Sequence, residues 1–113
     1  MSEQRMFREG EPRYLTCGID DRLPVMFQIT LWNTIDNLRD AGQQLDYLQV
    51  FHFTTKANPE RTGKIVEIVH SQEVPEYSKT YEIPIKAEEE SINGKIYVID
   101  DITHATMLWA EEY

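Results

Sequence analysis

An α+β domain is the fold this sequence predicts: one main helix packed on a five- to six-stranded, mainly antiparallel, curled sheet, in the order β-α-β-β-β-β-β. Three observations carry it. One stretch of apolar residues at helical spacing lies between residues 25 and 38. Later runs rich in β-branched and aromatic side chains follow, each bounded by turn residues. The joining loops are short, and a strand, a helix and then strands in series imply an antiparallel meander with the helix on one face.

Residues 1–12 read as a flexible N-terminal segment containing Gly10 and Pro12, and residues 13–113 as a single α+β domain. RYLTCG (13–18) is a short strand ended by Gly18. IDDRLP leads into the helix, with Pro24 in its first turn and Asp20 and Asp21 near its positive end. The helix runs to Ala41, and Gly42 stops it. At about 100° per residue, Phe27, Leu31, Ile35 and Leu38 make a core stripe. Thr30, Asn33, Thr34, Asn37 and Asp40 make the wet side. Val25, Ile29 and Trp32 form a second apolar cluster, covered by the N-terminal segment or serving as an anchor for a partner.

The strands that follow are LDYLQVFHFT (45–54), GKIVEIVHS (63–71), TYEIPIK (80–86), KIYVID (95–100) and ATMLW (105–109). ANPERTG (57–63) is a hairpin loop, and Asn93-Gly94 is a turn pair. Pro84 marks an edge strand or a bulge, because proline has no N–H for a ladder. Two strands are apolar on both sides. In the first, Tyr47, Phe51 and Phe53 oppose Leu48 and Val50; in KIYVID, Ile96 and Val98 oppose Tyr97 and Ile99. A helix is roughly 10 Å wide, whereas five strands span about 20 Å. One helix therefore leaves apolar sheet uncovered. Either the sheet curls around that face or another chain, a second copy included, lies on it.

The formal charge is −9, and it is uneven: residues 73–113 hold ten acidic and three basic side chains. Such a field repels phosphate backbones and anionic lipid, which argues against direct nucleic-acid or membrane partners. Glu88, Glu89, Glu90, Glu111 and Glu112 are expected as an acidic rim, either solvating the surface or steering a basic partner. No run approaches the roughly 18 apolar residues of a membrane helix. The charged N-terminus lacks a secretory pattern, and the lone Cys17 excludes an internal disulfide, so a cytoplasmic location is expected.

Candidate chemistry is thin. Asp100, Asp101 and His104 could ligate a divalent cation, but adjacent strand residues point to opposite faces and the same residues suit a hairpin tip. His52, His70 and His104 would make a three-histidine metal set only if the fold gathered them. Cys17 reads as a small core residue; as a nucleophile it would need a histidine delivered by the fold. The clustered glutamates lack the spacing across a cleft that glycoside chemistry needs. No phosphate-binding glycine loop is present. No catalytic, cofactor or metal residue is assigned.

YLTCGIDDRLP, LDYLQVF, VHSQEVPEY and KIYVIDD…ATMLWAEEY together resemble domain-of-unknown-function family 960, short bacterial proteins mostly from low-GC Gram-positive species. The resemblance runs from about Arg13 to Tyr113. It implies a single-domain bacterial cytoplasmic protein, and it carries over no activity, cofactor or site residue. The expected function is a non-catalytic interaction or regulatory protein, binding a protein partner or itself through Val25, Ile29, Trp32 and the acidic rim. The alternatives are an acidic nucleic-acid mimic that binds a DNA- or RNA-binding protein, and a small metal-dependent enzyme.

Overall fold

A computed structural model describes residues 5–113. The chain begins with β1 (Arg13–Leu15), α1 (Cys17–Arg22) and α2 (Val25–Asp40). It continues with β2 (Leu48–Ala57), β3 (Lys64–Gln72), β4 (Tyr77–Ile85), β5 (Gly94–Asp100) and β6 (Ala105–Trp109), and closes with a 3-10 turn (Ala110–Glu112). The α+β class and the main helix stand as expected.

Several details differ from the sequence reading. RYLTCG is not strand throughout: Thr16 accepts from the Ile19 N–H at 3.3 Å and caps a separate short helix, α1. Threonine with an acid in the following turn is a helix start, masked here by Gly18 inside the helix. Asp20 and Asp21 consequently belong to α1, and Pro24 is the N-cap residue of α2 rather than part of its first turn.

The domain boundary also moves. Of the segment read as flexible, residues 1–4 lie outside the described residues. Phe7, however, is core at 1% exposure, with Met6 packed against the same cluster. An aromatic ring in an otherwise polar segment was the available signal.

The sheet is mixed and open. Its order is β1-β6-β5-β2-β3-β4, with β1 parallel to β6 and the remaining neighbours antiparallel. Only β2, β3 and β4 form a meander. After β4 the chain crosses back through residues 86–93 and β5 takes the free side of β2. Thr55 fixes that crossing: its Oγ1 donates to the Ile92 carbonyl and accepts from the Ile92 N–H, both at 2.8 Å, and its own N–H donates to Asn93 Oδ1 at 2.8 Å. The Asn93-Gly94 pair therefore enters β5 from a longer loop and is not a tight hairpin. The sheet also does not curl shut; β1 and β4 remain edges, which agrees with Pro84.

The two sheet faces are unequal. Phe51 and Phe53 of β2, Val66 and Ile68 of β3, Ile96 and Val98 of β5, and Met107 and Trp109 of β6 are buried. They alternate along their strands and so share the face that α2 covers with Phe27, Leu31 and Ile35. Phe27 meets Phe53 edge to face at 5.9 Å between ring centres. The rear face carries Leu48, Val50, Val69, Tyr97 and Ile99, all half-buried. Leu108 on that face is better shielded. The C-terminal Tyr113 meets Tyr97 edge to face at 5.9 Å.

Candidate functional site

Helix α2 turns its second apolar cluster outward. Val25 is 63% exposed and Ile29 53%, one turn apart, and Met26 between them is 71% exposed. Spacings of three and four residues put all three on one patch of helix surface. The next member of the stripe, Trp32, is partly covered because the Arg13 guanidinium lies 4.7 Å from its ring centre. Arg13 is held there by Asp36, which also accepts from Arg39 at 3.0 Å. The start of β1 thus shields the end of the stripe and leaves its beginning bare. Met26 was not among the expected contacts. The core stripe leaves its neighbours outward by geometry, so its exposure was readable.

A cleft of about 710 Å³ adjoins this patch. Met26, Phe27 and Pro24 at the start of α2 form one wall, and Ile83 and Ile85 of β4 with Ile92 form the other. It exists because α2 does not reach the β4 edge. Its size suits a ligand or an inserted side chain, since such sites span about 300–1,000 Å³ with mainly apolar walls. Pro84 signals the edge strand in the sequence, but nothing there says that the start of α2 stands opposite it.

The acidic rim divides in two. Glu88, Glu89 and Glu90 lie exposed in the loop between β4 and β5, and the last two border the cleft. Glu111 and Glu112 instead tie the C-terminus to α1. Glu111 pairs with Arg22 at 2.5 Å, and Arg22 lies over the Trp109 ring at 4.3 Å. Glu112 Oε1 accepts from the Trp109 N–H at 2.8 Å and from Thr16 Oγ1 at 2.7 Å. These bonds, the Trp109 N–H first and then Thr16, hold its carboxyl below the usual glutamate range.

The possible chemical groups are scattered by the fold. His70 is fully buried on the α2 side of the sheet, stacked on Phe51 with ring centres 4.3 Å apart. His52 pairs with Val69 in the ladder and so projects to the rear face, while His104 sits at the β5–β6 turn. The three histidines are not brought together. Asp101 caps the turn by accepting from the Thr103 and His104 N–H groups at 3.0 and 2.9 Å, and from Thr103 Oγ1 at 2.8 Å. The Thr103 hydroxyl first and then the His104 N–H pull its carboxyl below the usual range. Asp101, Thr103 and His104 therefore make a hairpin tip. Cys17, expected in the core, is exposed as the first residue of α1. Among the described residues, no group of three or more His, Cys, Asp or Glu side chains is placed to hold a metal ion. Among them also, no helix is long and apolar enough to cross a membrane.

Comparison with known proteins agrees with this fold. The family model described as "Staphylococcal protein of unknown function (DUF960)" matches residues 12–112, so the chain belongs to that family. A crystal structure of a protein of unknown function from Enterococcus faecalis superposes with a TM-score of 0.73 at 24% identity, covering 100% of this chain and 98% of that one. At that identity the likeness shows a shared fold. No curated protein matches.

Proposed function

We propose that this family member is a non-catalytic interaction protein of the bacterial cytoplasm whose contact surface is the exposed start of α2 and the adjoining cleft. One observation carries the reading: three large aliphatic side chains, Val25, Met26 and Ile29, stand more than half exposed on one helix patch beside an apolar cavity. A partner that seats an apolar side chain in the cleft removes both walls from water, where apolar burial contributes about 25 cal/mol per Å². The cleft margin carries both signs of charge, Arg22, Arg61 and Lys86 beside Glu89 and Glu90, so the polar contacts around an apolar anchor would be mixed. The same patch admits a second copy of the chain as partner.

The test is a triple substitution, Val25→Ser, Met26→Ser and Ile29→Ser. These side chains are exposed, so the fold should hold within about 1 kcal/mol. Tagged wild type and triple variant are compared by affinity capture from the native extract at two salt concentrations, and by light scattering for self-association. The expected result is a specific bound protein, or a dimer, present with wild type and lost with the variant. Identical capture and identical mass for both proteins would remove the α2 patch as the contact surface.

A further inference from the structure

The N-terminal strap, residues 5–12, is fastened to the β5–β6 turn through a pair of buried carboxyl groups. Asp100, at the end of β5, is 3% exposed. Its Oδ2 accepts from the Phe7 N–H at 2.5 Å, and its Oδ1 accepts from the Ile102 N–H at 2.8 Å. Among the described residues, Phe7 and Ile102 are the two non-glycine residues with positive φ, 57° and 82°. Such a conformation is costly for a bulky or β-branched side chain and persists only where its surroundings hold it. Both are held by the same carboxylate.

Glu11 is buried beside this carboxylate: Arg8, which pairs with Glu11, donates to the carbonyl of Ile102, whose N–H Asp100 holds, and Asp100 helps raise the Glu11 pKa. Its side chain is 1% exposed, yet neither carboxyl oxygen has a hydrogen-bond partner among the described residues. The nearest cation, Arg8 Nη2, stands 3.5 Å from Oε1 and donates instead to the Ile102 carbonyl. Two ionised carboxylates in contact inside the protein repel strongly, and orphaned buried oxygens are costly. One proton relieves both penalties, by turning one group into a donor to the other. The two oxygens of Asp100 already accept N–H bonds, whereas those of Glu11 accept none. The proton therefore belongs on Glu11.

We propose that the strap is a proton-operated latch: with a proton shared between Glu11 and Asp100 it lies closed over the core, and loss of that proton opens it. Opening would withdraw Phe7 and uncover the apolar seat it fills. The remaining charged groups are placed to keep the response local. On α2, Arg39 donates to the Phe7 carbonyl at 2.9 Å and is balanced by Asp36, while Glu9 on the strap adds to the field at Arg39. On the hairpin, Asp101 and His104 engage each other at 3.2 Å. Burial, and then Asp100, raise the Glu11 pKa above its ordinary range against the pull of Arg8. With a raised folded-state pKa, the closed form is fully favoured below about pH 4.5 and weakens as pH rises through the folded-state value.

Native-state hydrogen exchange on the full chain tests this, with rates corrected for the intrinsic pH dependence of amide exchange. Protection of the Phe7 amide should fall by up to about tenfold per pH unit between about pH 4.5 and the raised folded-state pKa of Glu11, and level off above it, as one linked proton requires. In Glu11→Gln, the amide NH2 donates to Asp100 without a proton to lose, and protection should become independent of pH. In His104→Gln the wild-type slope should survive. A flat wild-type profile, an unchanged slope in Glu11→Gln, or a slope abolished by His104→Gln would each overturn the latch. If Glu11→Gln does not fold, side-chain carboxyl NMR of wild type decides. Glu11 should remain protonated where the other glutamates have ionised, and its titrating with them would overturn the proposal.

Discussion

His70 sits at the end of a buried polar chain. Its Nε2 donates to Gln49 Oε1 at 2.6 Å; Gln49 Nε2 donates to Gln72 Oε1 at 2.7 Å and to the Asp46 carbonyl at 2.9 Å. Gln72 in turn donates to the carbonyls of Gln44 and Pro75 at 3.0 and 2.7 Å. The chain ties β2 and β3 to the loops at their ends. Burial lowers the His70 pKa to about 4, so the ring is neutral when folded. The unfolded chain, with an ordinary histidine near 6.5, takes up the proton first. Stability should therefore fall as pH drops from about 6.5 to 4, by up to about 3 kcal/mol, and His70 contributes no further loss below that. Glu11 acts in the opposite sense, so the informative quantity is a difference. Denaturant midpoints of wild type and His70→Phe, taken across this range, should converge as the pH falls; a constant gap would mean that His70 is not buried neutral. The burial of His70 and Gln49 was not readable in the sequence, because alternation groups residues by face without saying which face is dry. Glu112 misled similarly: besides its local reach back to the Trp109 N–H it accepts from Thr16, far away in the chain, and nothing in the sequence announces that bond.

Helix α2 was legible because its stripe and its C-terminal stop are written in neighbouring residues. Its C-terminus is a Schellman motif: the Gln43 N–H donates to the Leu38 carbonyl and the Gly42 N–H to the Arg39 carbonyl, each at 3.0 Å. Gly42 holds φ +89°, and a Cβ there would meet nothing within 4 Å. Gly42→Ala should therefore cost only the backbone term, about 1 kcal/mol, seen as a lower denaturant midpoint at unchanged slope. A neutral substitution would show that the helix end relaxes to another cap. The five later strands were also legible, with ends shifted by up to about three residues. Their order was not. Consecutive strands pair by default, and the return of β5 to the free side of β2 is decided by Thr55, Ile92 and Asn93, whose bonds exist only after the crossing is made. The parallel pairing of β1 with β6 is equally non-local, joining residues 13–15 to 105–107.

At the scale of the molecule, one 16-residue helix lies on a six-stranded sheet, and the body is slender, 55 × 28 × 22 Å. Its radius of gyration is 14.8 Å, against roughly 13 Å for a rounder chain of this length. The shortfall in cover predicted from the widths of helix and sheet is present, and it takes the form of open edges and a half-bare rear face in place of a closed curl. Open edges invite strand addition, and β4 is the longer of the two, nine residues against three. It is defended by Lys79 and Glu82, both exposed, and by Pro84. Pro84 stays in register opposite Ile65. A proline keeps such pairing only where its nitrogen faces away from the neighbouring strand. It therefore denies an incoming strand a donor at the cleft end of the edge. Pro84→Val would restore that donor and add a β-branched side chain without disturbing the β3 ladder. The expected outcome is association that increases with concentration beyond that of wild type, followed by light scattering, with the unfolding midpoint of the isolated chain little changed. Should the variant keep the wild-type mass at every concentration, the edge is protected by its charges and twist, and Pro84 serves only to end β4.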